Sequence, residues 1–101
     1  MALTISFAMR DAARRRELVL RLDGELDGDS ALTLDRRLHS LPEADVVIVD
    51  LRGLSFIDST GLRVLVQAKH SQGESLRLVG APPPVAHVFE TSGAGELLEQ
   101  P

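Results

Sequence analysis

The chain has 101 residues, 44% hydrophobic and 26% charged, the size and composition of one globular domain over 1–101. Only 3% are aromatic, with no Trp or Tyr, which argues mildly against aromatic base stacking, and the formal charge of −4 counts against a nucleic-acid binder. The absence of Cys rules out disulfides, thiolate zinc sites and a cysteine nucleophile.

Residues 2–9 alternate, with Leu3, Ile5, Phe7 and Met9 on one side, and predict a strand with one buried face. A polar connection is expected over 10–16, with Arg14, Arg15 and Arg16 as a solvated hairpin tip. Val19, Leu20 and Leu22 predict a second strand over 17–23, antiparallel to the first. Residues 24–29, rich in Gly and Asp, read as a loop. Asp29 or Ser30 is expected to cap a helix whose Ala31, Leu34, Leu38 and Leu41 form one stripe, with Pro42 as its stop.

The run Val46-Val47-Ile48-Val49 predicts a central strand buried on both faces, between helices on each side of a parallel sheet. Residues 51–58 read as a connector, and Ser59 opens a second helix with Leu62, Leu65 and Val66 on one face and Gly73 at its end. Leu76, Leu78 and Val79 predict a fourth strand. Pro82-Pro83-Pro84 leads into a third helix whose apolar face is Val85, Val88 and Phe89, closed by Gly93. The order β-β-α-β-α-β-α defines an α/β fold, a mixed sheet of about four strands with three helices. No apolar run is long enough to span a membrane, and the N-terminus does not read as a signal peptide. A cytoplasmic location is therefore expected.

The chemistry concentrates where the buried run meets the second helix. A hydroxyl residue at a helix N-terminus can accept a hydrogen bond from an unpaired N–H of the first turn. Gly61 is expected to keep that turn free of bulk, so that another molecule can approach the Ser59 hydroxyl. On these residues alone, Asp58-Ser59-Thr60-Gly61 is more often a plain helix cap than a site.

The string Leu-Ser-Phe-Ile-Asp-Ser-Thr-Gly-Leu over 54–62 resembles the signature of STAS domains in bacterial anti-sigma-factor antagonists. Gly24-Glu25-Leu26-Asp27, with Ala31 and Leu34 after it, is similar to a second family motif. Arg77-Leu78-Val79-Gly80, followed by Val85, Phe89, Ser92 and Gly93, resembles a third. The likeness runs in order through nearly the whole chain.

The resemblance implies a STAS-like single domain that works by binding a partner protein, without catalysis and without a cofactor. It implies that Ser59, or as second choice Thr60, is phosphorylated by an anti-sigma factor that is also a serine/threonine kinase. The unphosphorylated form binds that factor and frees the sigma factor; phosphorylation switches binding off, and a phosphatase resets it. Asp27, Asp58, Ser59, Thr60, Gly61 and Arg63 are the implied partner-binding residues. Arg63 stands where many relatives carry Gly, which bears on which kinase docks. A second use of the same fold is as a subunit of another assembly, such as a lipid-transport ABC system or a stress-sensing complex.

Other chemistries find little support. Ser59-Thr60-Gly61 completes only half of a Gly-x-Ser-x-Gly nucleophile turn, because Ile57 occupies the first glycine position. His39, His70 and His87 are far apart and lack metal-ligand spacing. Gly93-Ala94-Gly95 lacks the strand-turn-helix context of a dinucleotide loop and reads as a helix stop.

Overall fold

A computed structural model of the chain describes residues 2–99. The elements follow in the order β1 (Thr4–Ala12), β2 (Arg15–Leu26), α1 (Gly28–Leu38), β3 (Val46–Ile57), α2 (Ser59–Gln72), β4 (Leu76–Val79) and α3 (Pro83–Thr91). Short 3₁₀ turns cover Gly73–Ser75 and Gly95–Leu97. The four strands lie in the order β1-β2-β3-β4, the first pair antiparallel and the other two parallel. This is the mixed four-strand, three-helix arrangement that the alternating pattern predicts.

The core is aliphatic. Leu18, Leu20 and Leu22 of β2, Val47, Val49 and Leu51 of β3, and Leu76 and Leu78 of β4 meet Ala31 and Leu34 of α1, Leu62 and Leu65 of α2, and Val85 and Phe89 of α3 in one cluster. Burial of each large apolar side chain contributes about 1.5–3 kcal/mol, which must offset the entropy of ordering the chain. All three helices feed this one cluster, so the expected helices on both sides of the sheet are not found.

The reason lies on the opposite face. There Val46 and Ile48 are buried, yet neither joins the core cluster. The register places Glu17 beside Val46, Val19 beside Ile48, and Arg21 beside Asp50. Ion pairs spread over this face: Arg10 to Glu17 at 2.8 Å, Arg21 to Asp50 at 3.9 Å, and Arg77 to Glu99 at 2.9 Å. Long arginine stems cover apolar surface while their heads stay in water, so no helix is needed there.

Both hairpin and connector differ from expectation. The connection expected over 10–16 shrinks to Ala13 and Arg14, because Arg15 and Arg16 already pair in β2. Both loop residues have positive φ, 50° and 65°, the backbone of the tight two-residue turns that match the twist of a hairpin. The loop expected over 24–29 is also absent, since β2 continues to Leu26 and α1 begins at Gly28. The connector expected over 51–58 is strand as far as Ile57. Two register irregularities against β2 let Leu51, Leu54 and Ile57, spaced by three, all turn to the core.

Candidate functional site at the carboxyl ends of the parallel strands

Parallel strands β2 and β3 end side by side, with Leu26 opposite Ile57. The Asp58 N–H donates to the Leu26 carbonyl at 3.1 Å and continues the pairing by one residue. Each strand then turns at once into a helix, so the N-termini of α1 and α2 start from neighbouring positions. Both helix starts direct partial positive charge and unpaired N–H groups to this end of the molecule.

An aspartate caps each helix. Asp58 Oδ1 accepts from the Gly61 N–H at 2.9 Å, and its carbonyl accepts from the Leu62 N–H at 2.9 Å. Asp27, rather than Asp29 or Ser30, caps α1: its Oδ1 accepts from the Ser30 N–H at 3.1 Å, while Ser30 Oγ accepts from the Asp27 N–H at 2.9 Å. This reciprocal box uses Asp at the cap and Ser three residues on. Hydrogen bonds from the Ser30 backbone, then from its hydroxyl, lower the Asp27 pKa, and desolvation only partly opposes them. Asp27 is therefore a fixed negative charge in the neutral range.

Ser59 is the first helical residue of α2 and is exposed, as is Thr60. Among the described residues, neither hydroxyl has a hydrogen-bond partner, and the N–H groups of the two are likewise free. Arg63 is exposed one turn on and is the cation nearest along the helix. Gly61 differs from its expected role. It is buried, and a Cβ there would lie 2.6 Å from Leu26 Cγ and 2.7 Å from the Leu26 carbonyl oxygen. Its missing side chain lets α2 pack on the end of β2, and access to Ser59 does not depend on it.

Sequence reasoning passed over two apolar residues at this end. Phe56, two residues before the Asp58 cap, is 47% exposed, and Leu32 on α1 is 53% exposed. The second irregularity of β3 lies between the Leu54 and Phe56 pairings, where Leu54 and Ile57 face inward and Phe56 outward. Because residues 51–58 read as a connector, the sequence carries no signal for which way Phe56 points. Leu32 shares a stripe with Asp35, which lines the groove between α1 and α2 together with Val64 and Ala68. A separate groove of about 460 Å³ beside the start of α1 takes in Glu25, Asp27, Asp29, Ser30 and Thr33. This end of the sheet thus carries Glu25, Asp27, Asp29 and Asp58.

Among the described residues, no group of three or more His, Asp or Glu is placed to hold a metal ion. No helix among them is long and apolar enough to cross a membrane.

Comparison with known proteins agrees with this architecture. The fold is similar to that of the anti-sigma factor antagonist SpoIIAA in its unphosphorylated form, at 24% identity and a TM-score of 0.67, covering 93% of this chain and 86% of that one. It is similar to an anti-sigma factor antagonist from Mycobacterium paratuberculosis, at 19% identity and a TM-score of 0.74, covering 94% and 83%. The SulP transporter STAS domain from Vibrio cholerae is 26% identical with a TM-score of 0.56, covering 78% of this chain and 65% of that one. A family model described as "Mlab, STAS domain" matches residues 9–99, and the chain belongs to that family of STAS domains.

Proposed function

We propose that this STAS domain is an anti-sigma factor antagonist whose docking to an anti-sigma factor kinase is switched off by phosphorylation of Ser59. The observation that carries the reading is the Ser59 hydroxyl, exposed and unpartnered among the described residues, on the first residue of a helix whose N-terminus adjoins a second.

A phosphoryl group on Ser59 adds roughly −1.5 to −2 charges. The free N–H groups of Ser59 and Thr60 and the dipole of α2 tolerate an anion there, so the modified protein keeps its fold. The surface changes instead. Asp58 is the adjacent residue and Asp27 caps the neighbouring helix, so a partner shaped for the unmodified face must desolvate a phosphate among carboxylates. Like charges brought together at an interface weaken it strongly. Phe56, exposed two residues before the Asp58 cap, supplies an apolar contact of the unmodified complex, and Arg63 contributes to the choice of kinase.

The test uses the kinase recovered from a native lysate on the immobilised domain. With ATP, intact-mass measurement is expected to show one added phosphate on wild type and on Thr60→Ala, and none on Ser59→Ala. Phosphate retained by Ser59→Ala but absent from Thr60→Ala assigns the switch to Thr60.

A second reading has one observation in its favour. The likeness to a transporter STAS domain fits a role as a docking subunit of a membrane-transport assembly. Recovery of an ATPase with its permease, in place of a kinase, selects that reading.

A further inference from the structure

The two edges of the sheet are finished differently. On the β4 side, the Glu99 N–H donates to the Leu78 carbonyl at 2.8 Å and Leu98 bridges to Leu78, so a following segment covers part of that edge. β1 pairs with β2 through all nine residues, and its other side is the free edge of the sheet. An edge of this length, about 30 Å, presents a row of unpaired backbone groups unless something blocks it. β1 has no proline and no lysine, and its charges, Arg10 and Asp11, stand near one end.

The side chains of β1 are also unfinished. Register with Leu22, Leu20 and Leu18 places Ile5, Phe7 and Met9 on the helix-bearing face. Phe7 and Met9 are each 43% exposed there, in a chain with only four exposed large hydrophobics among its described residues. The cover α1 gives Phe7 includes the Arg37 guanidinium, 5.6 Å from the ring centre.

We infer that β1 is a homodimer interface, with a second copy pairing antiparallel across a twofold axis at Ala8. The strand is complementary to itself in that register. Phe7 falls opposite Met9 of the second copy, and the reverse pair repeats it, giving two sulfur–aromatic contacts on one face. Arg10 falls opposite Ser6, and Asp11 opposite Ile5, so no like charges oppose each other. Asp11 of the second copy is the diagonal neighbour of Phe7, on the face where Arg37 lies, and the two are of opposite sign. The axis keeps the helices of both copies on one side and joins the sheets into eight strands. It leaves Ser59 free, because α2 follows β3, two strands in from the edge. The inference is independent of the phosphorylation reading.

Sedimentation equilibrium of the full chain at 1–200 μM tests it. Wild type is expected to reach twice the monomer mass within that range. Phe7→Lys and Met9→Lys are expected to remain monomeric with an unchanged far-ultraviolet circular dichroism spectrum. Asp11→Lys is expected to weaken association several-fold, and Arg37→Glu combined with Asp11→Lys to restore most of it. Wild type that stays monomeric to 200 μM overturns the inference, as does a dimer that persists in Phe7→Lys and Met9→Lys. Loss of folding in either lysine variant shifts the decision to the Asp11 and Arg37 pair, where no change in association overturns the proposed register.

Discussion

The Asp58 N–H donates to the Leu26 carbonyl at 3.1 Å, and through that bond the end of β3 is held against the end of β2. The next residue on each side begins or caps a helix, so Asp27 and Asp58 serve as paired caps at one end of the sheet. The position of Ser59 follows from this backbone pairing and from the irregularities that bring β3 to it.

The cap of α2 can be separated from the proposed switch. Asp58→Ala removes the acceptor for the Gly61 N–H and is expected to cost about 1 kcal/mol. For a domain of this size that lowers Tm by about 4–8 °C. Asp58→Asn keeps an acceptor for that N–H and is expected to recover most of the loss, as thermal unfolding followed by circular dichroism will show.

Gly61 answers to packing. The Cβ added by Gly61→Ala meets Leu26 side chain and backbone inside van der Waals distance, so α2 must shift. The expected cost is about 1–3 kcal/mol. Urea unfolding is the measurement, with the midpoint lowered and the slope unchanged.

Glu17 predicts a pH dependence. It is buried on the open face of the sheet, and its hydrogen bond from Arg10 leads the interactions that lower its pKa, with Arg10 and Arg15 charges adding and desolvation opposing. A depressed folded-state pKa contributes stability that is present above the unfolded value of about 4.3 and is lost as pH falls through the folded value. The stability difference between wild type and Glu17→Gln is expected to be constant above about pH 5 and to shrink below the unfolded value. Denaturation midpoints from pH 3 to 8 check it; a difference that grows on acidification contradicts the assigned direction.

Much of this architecture was legible in the sequence. The alternation of 2–9, the β-branched run 46–49 and the stripes of the three helices carry period signals strong enough to identify element type and order. What escaped has specific causes. Leu51, Leu54 and Ile57 are spaced by three, which matches no strand template unless the irregularities of β3 are known, so strand read as connector. Arg10, Arg15 and Arg16 looked like loop because polar residues on an arginine-covered sheet face resemble solvated turns. The same face explains why Val46 and Ile48 suggested helices on both sides. The α1 cap was misplaced because Ser30 is the third helical residue of a box that Asp27 begins. The motif residues Asp27, Asp58, Ser59 and Thr60 do gather at one end of the sheet, and Arg63 follows one turn along α2. Gly61 lies beneath them in the packing.

The most direct test of the central claim is calorimetric titration of the recovered anti-sigma factor kinase with the domain in two forms, unmodified and phosphorylated at Ser59. The account predicts affinity weakened by about tenfold or more in the phosphorylated form. It also predicts superimposable far-ultraviolet circular dichroism spectra, because the added charge alters the docking face and leaves the sheet and helices in place. Equal affinities for the two forms, or loss of binding accompanied by loss of helical signal, would contradict it.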